Sequence, residues 1–135
     1  MSDFFDWDAG KYGLDIPMID DEHQQIIGAM NELHRLHTTK QPVARLTEAL
    51  RHLQRVTVTH FKDEEAYMEK IGYADLLKHR HVHKHLLERL DLFAKEFQGS
   101  GALSEEFFLF LKMWLKSHIC GIDAQYAAHA RSNAA

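Results

Sequence analysis

Hydrophobic residues recur three and four positions apart along four stretches of this chain, which is the spacing that gives an α-helix one apolar face. The first stretch starts near Asp20, its predicted cap; the second opens after Pro42, the third follows Gly72, and the fourth begins at Ser104, a good N-cap. The apolar positions that define these faces are Ile19, Ile26, Met30 and Leu33, then Leu46, Leu50, Leu53, Tyr67 and Ile71, then Leu76, Leu86, Leu90, Phe93 and Phe97, and last Phe107, Leu111 and Trp114. No stretch shows the two-residue alternation of a β-strand, so the pattern predicts four helices, each with one buried face.

The breaks between the stretches are short and cover residues 38–42, 71–73 and 98–101. Short connections place consecutive helices antiparallel. The prediction is therefore an all-α fold, an antiparallel up-down-up-down four-helix bundle, in a single domain over residues 1–135. The first eighteen residues are rich in aromatic side chains and are predicted to form an N-terminal aromatic arm over the bundle rather than a helix.

The four apolar faces are interrupted by residues that can bind metal ions. They are His23 on the first face, His60 and Glu64 on the second, His79 and His83 on the third, and His118 on the fourth. The chain has eleven histidines, of which about three would lie on an inward face by chance. The position of these residues along the bundle argues against chance. They lie near the starts of the first and third helices and near the ends of the second and fourth, and these four ends meet at one end of an antiparallel bundle. The sequence therefore predicts that all six residues converge on one layer.

Glu64 strengthens this interpretation. An ionised carboxylate in a core is costly unless it is paired or bound to metal, and no lysine or arginine lies on the apolar faces nearby. His60 and Glu64 are four residues apart and can chelate one ion, as can His79 and His83, and intermediate metals accept both ligand types.

Asp123 is a further candidate ligand with weaker support. It follows His118 by five residues, and on a continuous helix that spacing turns it away from the apolar face. Gly121 lies between the two and offers a place for the helix to distort.

Composition excludes several other classes of protein. Sixteen basic and twenty acidic residues give a formal net charge of -4 without a basic block, which does not suit binding to nucleic acid or to an anionic membrane. The longest apolar run, residues 107–111, is far shorter than the roughly 20 residues of a membrane-spanning helix. A single cysteine and an N-terminus unlike a signal peptide predict a cytoplasmic protein, with a monomer as the default.

Taken together, the motifs are similar to those of the hemerythrins, specifically the bacterial single-domain form. The matching features are His23 preceded by Ile19-Asp20, His-x-x-x-Glu at His60 to Glu64, His-x-x-x-His at His79 to His83, His-x-x-x-x-Asp at His118 to Asp123, and Trp7, Gly72-Tyr73 and Trp114-Leu115 beside them. Each motif alone is weak. Four of them in this order, over nearly the whole chain, are highly specific.

The resemblance implies a non-haem di-iron centre in which two iron ions are joined by an oxo or hydroxo bridge and by the carboxylates of Glu64 and Asp123. It implies that one iron is completed by three histidines, His79, His83 and His118. The other iron would be completed by two, His23 and His60. The second iron would then keep an open position for dioxygen, and Leu115 matches the family's apolar residue beside that position.

The function that the resemblance implies is reversible dioxygen binding, for carriage, storage or delivery, rather than catalysis. The runner-up is a di-iron enzyme, but carboxylate-rich di-iron bundles use about four glutamates and two histidines in Glu-x-x-His pairs. This chain has no such pair on its apolar faces and no evident spare buried acid or base. A sensor of dioxygen or redox state is a third alternative, and a structural zinc site, which takes about four ligands, is a fourth.

Two features depart from the family's usual pattern. His81 and His85 form a second His-x-x-x-His pair, two residues out of step with the first, and are predicted to face solvent rather than to form a surface metal site. Cys120 is interpreted as a small packing residue.

Overall fold

The computed structural model describes residues 16–118, and within them the chain forms four helices and no strand. The helices are α1 (Pro17–Thr38), α2 (Val43–Lys70), α3 (Leu76–Ser100) and α4 (Glu105–Ser117). The all-α four-helix bundle is confirmed. Residues 1–15 of the predicted aromatic arm, Cys120 and Asp123 lie outside the described residues. The arm was predicted to extend over eighteen residues, but its last two, Pro17 and Met18, already belong to α1. None of the described helices is long and apolar enough to span a membrane.

The starts of α1 and α4 test the predicted caps. The prediction that Asp20 caps α1 was wrong, because that helix begins at Pro17. The fixed φ of proline suits the first helical position, and its missing N–H is not needed there. Asp20 instead lies in the first turn, where a negative charge interacts favourably with the helix dipole. The cap of α4 is confirmed, since the backbone N–H of Phe107 donates to Ser104 Oγ at 3.1 Å.

Glycine residues terminate α2 and α3 in left-handed conformations. Gly72 has a φ of 66°, which allows the next N–H, that of Tyr73, to donate to the carbonyl of Met68 at 3.0 Å. Gly101 has a φ of 73° and its N–H donates to the carbonyl of Phe97 at 2.7 Å, so α3 continues to Ser100 through the start of its predicted break. These tight endings keep the connections short and the helices antiparallel.

The core consists of two apolar clusters of different size. The larger one fills most of the bundle and includes the fully buried Leu33, Leu53 and Leu111. The smaller one contains Ile19 and Met68, both fully buried, with partly buried residues packed around them. The polar residues predicted to converge are buried in the bundle as well.

Candidate metal centre

Six of the predicted ligands lie in the described part of the chain, and the structure buries all six. They are His23, His60, Glu64, His79, His83 and His118, each no more than 3% exposed. His23 lies near the start of α1, and Glu64 lies one turn after His60 near the end of α2. The two histidines of α3 lie in its first turns, and His118 directly follows α4. The helices thus bring these side chains to one depth, as the antiparallel arrangement requires.

The carboxylate of Glu64 lies at the centre of this layer, and its two oxygens face different histidines. Glu64 Oε2 is 3.0 Å from His60 Nε2 and 3.8 Å from His23 Nε2. The two imidazole rings meet edge to face, with their centroids 4.6 Å apart. These two histidines and one carboxylate oxygen form the first half of the site.

The other oxygen, Glu64 Oε1, faces three histidines. It lies 2.8 Å from His83 Nε2, 3.0 Å from His79 Nε2 and 3.2 Å from His118 Nε2. The Nε2 atoms of His83 and His118 are themselves 3.3 Å apart. Three imidazoles converging on one oxygen form the second half.

The two halves fit a pair of metal ions that share one carboxylate. In each half, the ligand atoms all lie within 4.8 Å of one another, and Glu64 belongs to both groups. Imidazole and carboxylate are ligand types that iron accepts. The division into two and three histidines is the one that the resemblance implies, and the role of these residues as ligands stays a prediction. Asp123 and the side chain of Leu115 lie outside what the structure describes.

The electrostatics of the layer favour the forms of Glu64 and His83 that bind metals. Burial by itself raises the pKa of the Glu64 carboxyl, but hydrogen bonds from the surrounding histidines outweigh it and hold that pKa well below its usual range. Burial lowers the pKa of His83, and the charge of Glu64 only partly offsets this. A charged carboxylate and a neutral imidazole are the protonation states that a metal ion requires.

Two glutamates outside the layer contact ligand histidines, and the sequence did not reveal either. His60 Nδ1 donates to Glu22 Oε1 at 3.0 Å, and His83 Nδ1 donates to Glu65 Oε2 at 3.3 Å. Their side chains are only 14% and 23% exposed, so the expectation of no spare acid near the site was incomplete. Each directly adjoins a predicted ligand in the sequence and therefore falls off the apolar face of its helix.

Phe61 is a third residue that the sequence did not single out. Its ring stacks on the imidazole of His83, with centroids 3.9 Å apart and planes 5° from parallel. It also meets the indole of Trp114 edge to face at 5.9 Å. Phe61 is buried and belongs to the larger core cluster, so it packs that cluster against the histidine layer.

His81 and His85 do not take part in the site. Both side chains are exposed on α3, which confirms that this second histidine pair faces solvent.

Comparison with known proteins identifies the family. Residues 14–130 match the family model described as the hemerythrin HHE cation binding domain. A bacteriohemerythrin of Stenotrophomonas maltophilia is 32% identical over 120 residues, which cover 89% of this chain and 78% of that protein. A bacteriohemerythrin of Methylococcus capsulatus is 32% identical over 121 residues, with 89% of this chain and 92% of that protein covered.

Solved structures agree with the sequence comparison. The crystal structure of a wild-type hemerythrin superposes with a TM-score of 0.84 at 30% identity, covering 92% of this chain and 95% of that one. A leucine-to-alanine mutant of hemerythrin gives a TM-score of 0.86 at 29% identity, covering 94% and 97%. Because the family model spans most of the chain and each of these relatives matches 89% of it at 32% identity, the chain belongs to the hemerythrin family.

Proposed function

We propose that this protein binds dioxygen reversibly at a pair of iron ions bridged by Glu64, and that it carries, stores or delivers dioxygen. The observation that supports this most is the division of one buried carboxylate between three imidazoles on Oε1 and two on Oε2. A structural zinc site is satisfied by about four ligands and has no need of two such groups.

The unequal halves suit the binding of a small ligand. The half formed by His23 and His60 offers one imidazole fewer than the other half, so an ion held there would keep room for an additional ligand. Ferrous iron, when bound, would supply the redox-active centre for dioxygen. We propose the His23 and His60 half as the dioxygen side, with an oxo or hydroxo bridge and Asp123 completing the pair.

The chain's own residues would hold and protect this centre. Glu22 and Glu65 accept the Nδ1–H protons of His60 and His83, which fixes the tautomer that directs each Nε2 towards Glu64. Apolar side chains lie near the layer. Phe61 stacks on His83, and Ile19 and Met68 lie about one helical turn from His23 and Glu64 along their helices. These apolar side chains would limit the access of water to the centre from their side, which favours reversible binding over turnover.

Nitrogen-rich coordination and the relatives' names support a binding protein over an enzyme. Five imidazoles surround one carboxylate in the described layer, whereas carboxylate-rich di-iron bundles use about four glutamates and two histidines. The relatives in Stenotrophomonas maltophilia and Methylococcus capsulatus are both named bacteriohemerythrin. A cytoplasmic location and a monomeric state stay predictions from composition.

The experiment that tests the proposal is an optical titration of the iron-loaded, anaerobically reduced protein with air. We expect two irons per chain, a near-colourless reduced form, and a visible absorption band that appears with dioxygen and disappears when dioxygen is removed. Rapid conversion to a stable oxidised form, without a reversible band, would favour the enzyme or the sensor. Protein without iron would contradict the proposal altogether.

A matched pair of variants on α2 makes the same test specific to the site. His60→Gln removes an imidazole from the proposed dioxygen side, and we expect the reversible band to be lost. His52→Gln changes an exposed histidine two turns earlier on the same helix, and we expect it to keep the band. Equal spectra for the two variants would contradict the assignment of His60.

A further inference from the structure

Each half of the metal centre has one histidine whose outer ring nitrogen is held by a carboxylate. His60, in the two-histidine half, donates to Glu22 at 3.0 Å, and His83, in the three-histidine half, donates to Glu65 at 3.3 Å. Both contacts link different helices, since the partners are 38 and 18 residues apart in the chain. In both halves, therefore, a glutamate carboxylate accepts the Nδ1–H of one histidine.

The charges around the two carboxylates are different. Glu65 accepts a second hydrogen bond, from Arg80 Nε at 3.1 Å, and Arg80 also lies 3.9 Å from Glu69. Glu22 has no lysine or arginine within ion-pair distance among residues 16–118, and it neighbours the acidic side chain of Asp63 instead. One carboxylate thus shares its charge with a guanidinium, while the other lies beside a second acid.

This difference affects the histidines in a predictable direction. A negative carboxylate that accepts the Nδ1–H of a ligand histidine increases the electron donation of that imidazole to the metal. Stronger donation stabilises the ferric state over the ferrous state. A cation on the carboxylate, as Arg80 is on Glu65, withdraws part of that effect.

We propose that Glu22 and Glu65 are positioning residues that give the two irons unequal reduction potentials, and that Glu22 lowers the potential on its side more than Glu65 does on the other. Two observations support the order: the shorter contact of Glu22, and the charge that Arg80 removes from Glu65. The inference rests on the proposed di-iron function. It predicts that the outer carboxylate favours the ferric state more strongly in the two-histidine half than in the three-histidine half.

Two variants that should shift the reduction potential in opposite directions test the proposal. Glu65→Gln keeps a hydrogen-bond acceptor for His83 but removes the charge, so we expect a higher reduction potential. Arg80→Gln leaves Glu65 with its full charge, so we expect a lower potential. Both are measured by reductive titration of the iron-loaded protein with redox dyes, following the absorption of the ferric centre. A purely structural role for the pair would shift the potential in the same direction in both variants.

Glu22→Gln tests the predicted order. We expect a larger rise in potential than in Glu65→Gln, together with an iron affinity lower by about tenfold, the size typical for loss of a partner of a metal-bound histidine. Iron affinity is measured by competition with a chelator and does not depend on dioxygen. A smaller rise in Glu22→Gln than in Glu65→Gln would overturn the order.

An exposed ion pair and a charge-conserving variant provide the controls. Arg35 and Glu32 form a 2.7 Å pair on the outside of α1, and neither Arg35→Gln nor Glu32→Gln should shift the potential. Arg80→Lys keeps the positive charge and should restore the wild-type potential in part. Iron content and the dioxygen band of the wild type are measured first on the same preparation, so failure of the proposed function is seen separately from failure of this inference.

Discussion

The two ends of the bundle use the same four helices in different ways. The apolar end, defined by Leu33, Leu53, Phe97 and Phe107, consists of hydrophobic side chains that fill the space between the helices. The metal end, defined by His23, His60, Glu64, His79, His83 and His118, places one carboxylate and five imidazoles at equivalent inward positions. Both ends are buried, and they differ in what compensates for the burial.

At the apolar end, burial itself stabilises the fold. Fully burying a leucine or phenylalanine side chain contributes roughly 1.5–3 kcal/mol, and several such residues meet there. At the metal end, burial of polar groups is unfavourable unless each finds a partner, and bound metal ions would supply partners for all of them. The stability of the fold therefore depends mainly on the apolar end, which leaves the metal end free to hold reactive groups.

Glu64→Gln is the variant with the largest expected effect, because Glu64 is the one residue among 16–118 that belongs to both groups of candidate ligands. We expect loss of both irons, since an amide cannot bridge two cations as a carboxylate does. We expect the helical circular dichroism to remain, since the apolar end is unchanged. Metal analysis and circular dichroism on the same sample measure the two results.

The control for this variant lies on the same helix at the other end. Glu48 is exposed on α2, and Glu48→Gln should retain both irons. If Glu64→Gln kept two irons per chain, the bridging role of this residue would be wrong. If the Glu64→Gln variant unfolded, the fold would depend on the metal end as well as on the apolar end.

Leu53→Ala tests the apolar end and has the next largest expected effect. Leu53 is fully buried, so its truncation should lower the free energy of unfolding by about 2–5 kcal/mol. The loss should be similar in the iron-free and iron-loaded proteins, because the contribution of Leu53 does not depend on the metal end. Urea unfolding of both forms measures it.

An exposed position on the same helix provides the control for Leu53→Ala. Val58→Ala should change stability by less than about 0.5 kcal/mol, because Val58 is exposed. A loss for Leu53→Ala that was much larger in one metal state than in the other would show that the two ends are coupled.

The fold was predictable because the apolar faces are long and regular. Leu46, Leu50 and Leu53 lie on one face of α2, and the same face continues to His60 and Glu64. The start of α1 was not predictable in the same way. Asp20 has the chemistry of a cap, and only the structure shows that Pro17 begins the helix earlier.

The inner layer of the site was also predictable, whereas its surroundings were not. A residue on an apolar face is found by its spacing along one helix, and the six described candidates were found that way. Glu22, Glu65 and Phe61 each lie next to such a residue, and one step along a helix turns a side chain by about 100°. Their contacts are made between helices, which periodicity along a single helix does not report.

His34 is an ionisable residue at the apolar end, and it makes that end slightly sensitive to acid. Its ring is half-buried and meets the ring of Phe108 edge to face at 5.0 Å. Burial lowers the pKa of His34 below its usual value of 6.5, with further lowering from His37 and Lys112 and an opposing effect of Glu105. The folded protein therefore binds this proton less readily than the unfolded chain does.

The smallest expected effect follows from that difference in proton binding. As the pH falls through the ordinary histidine value, the unfolded state takes up the His34 proton first, so the folded state loses stability; this loss is absent well above it. His34→Gln should lose less stability than the wild type between about pH 7.5 and pH 5, by less than about 1 kcal/mol because the ring still contacts water. Urea unfolding of the iron-free proteins at the two pH values measures this, with His52→Gln, an exposed histidine on α2, as the control. Because the histidines of the metal end are the same in all three proteins, their titration cancels in the comparison. If all three proteins lost the same free energy of unfolding between the two pH values, His34 would not contribute to the acid sensitivity. That sensitivity would then arise at the metal end, and the apolar end would be insensitive to pH.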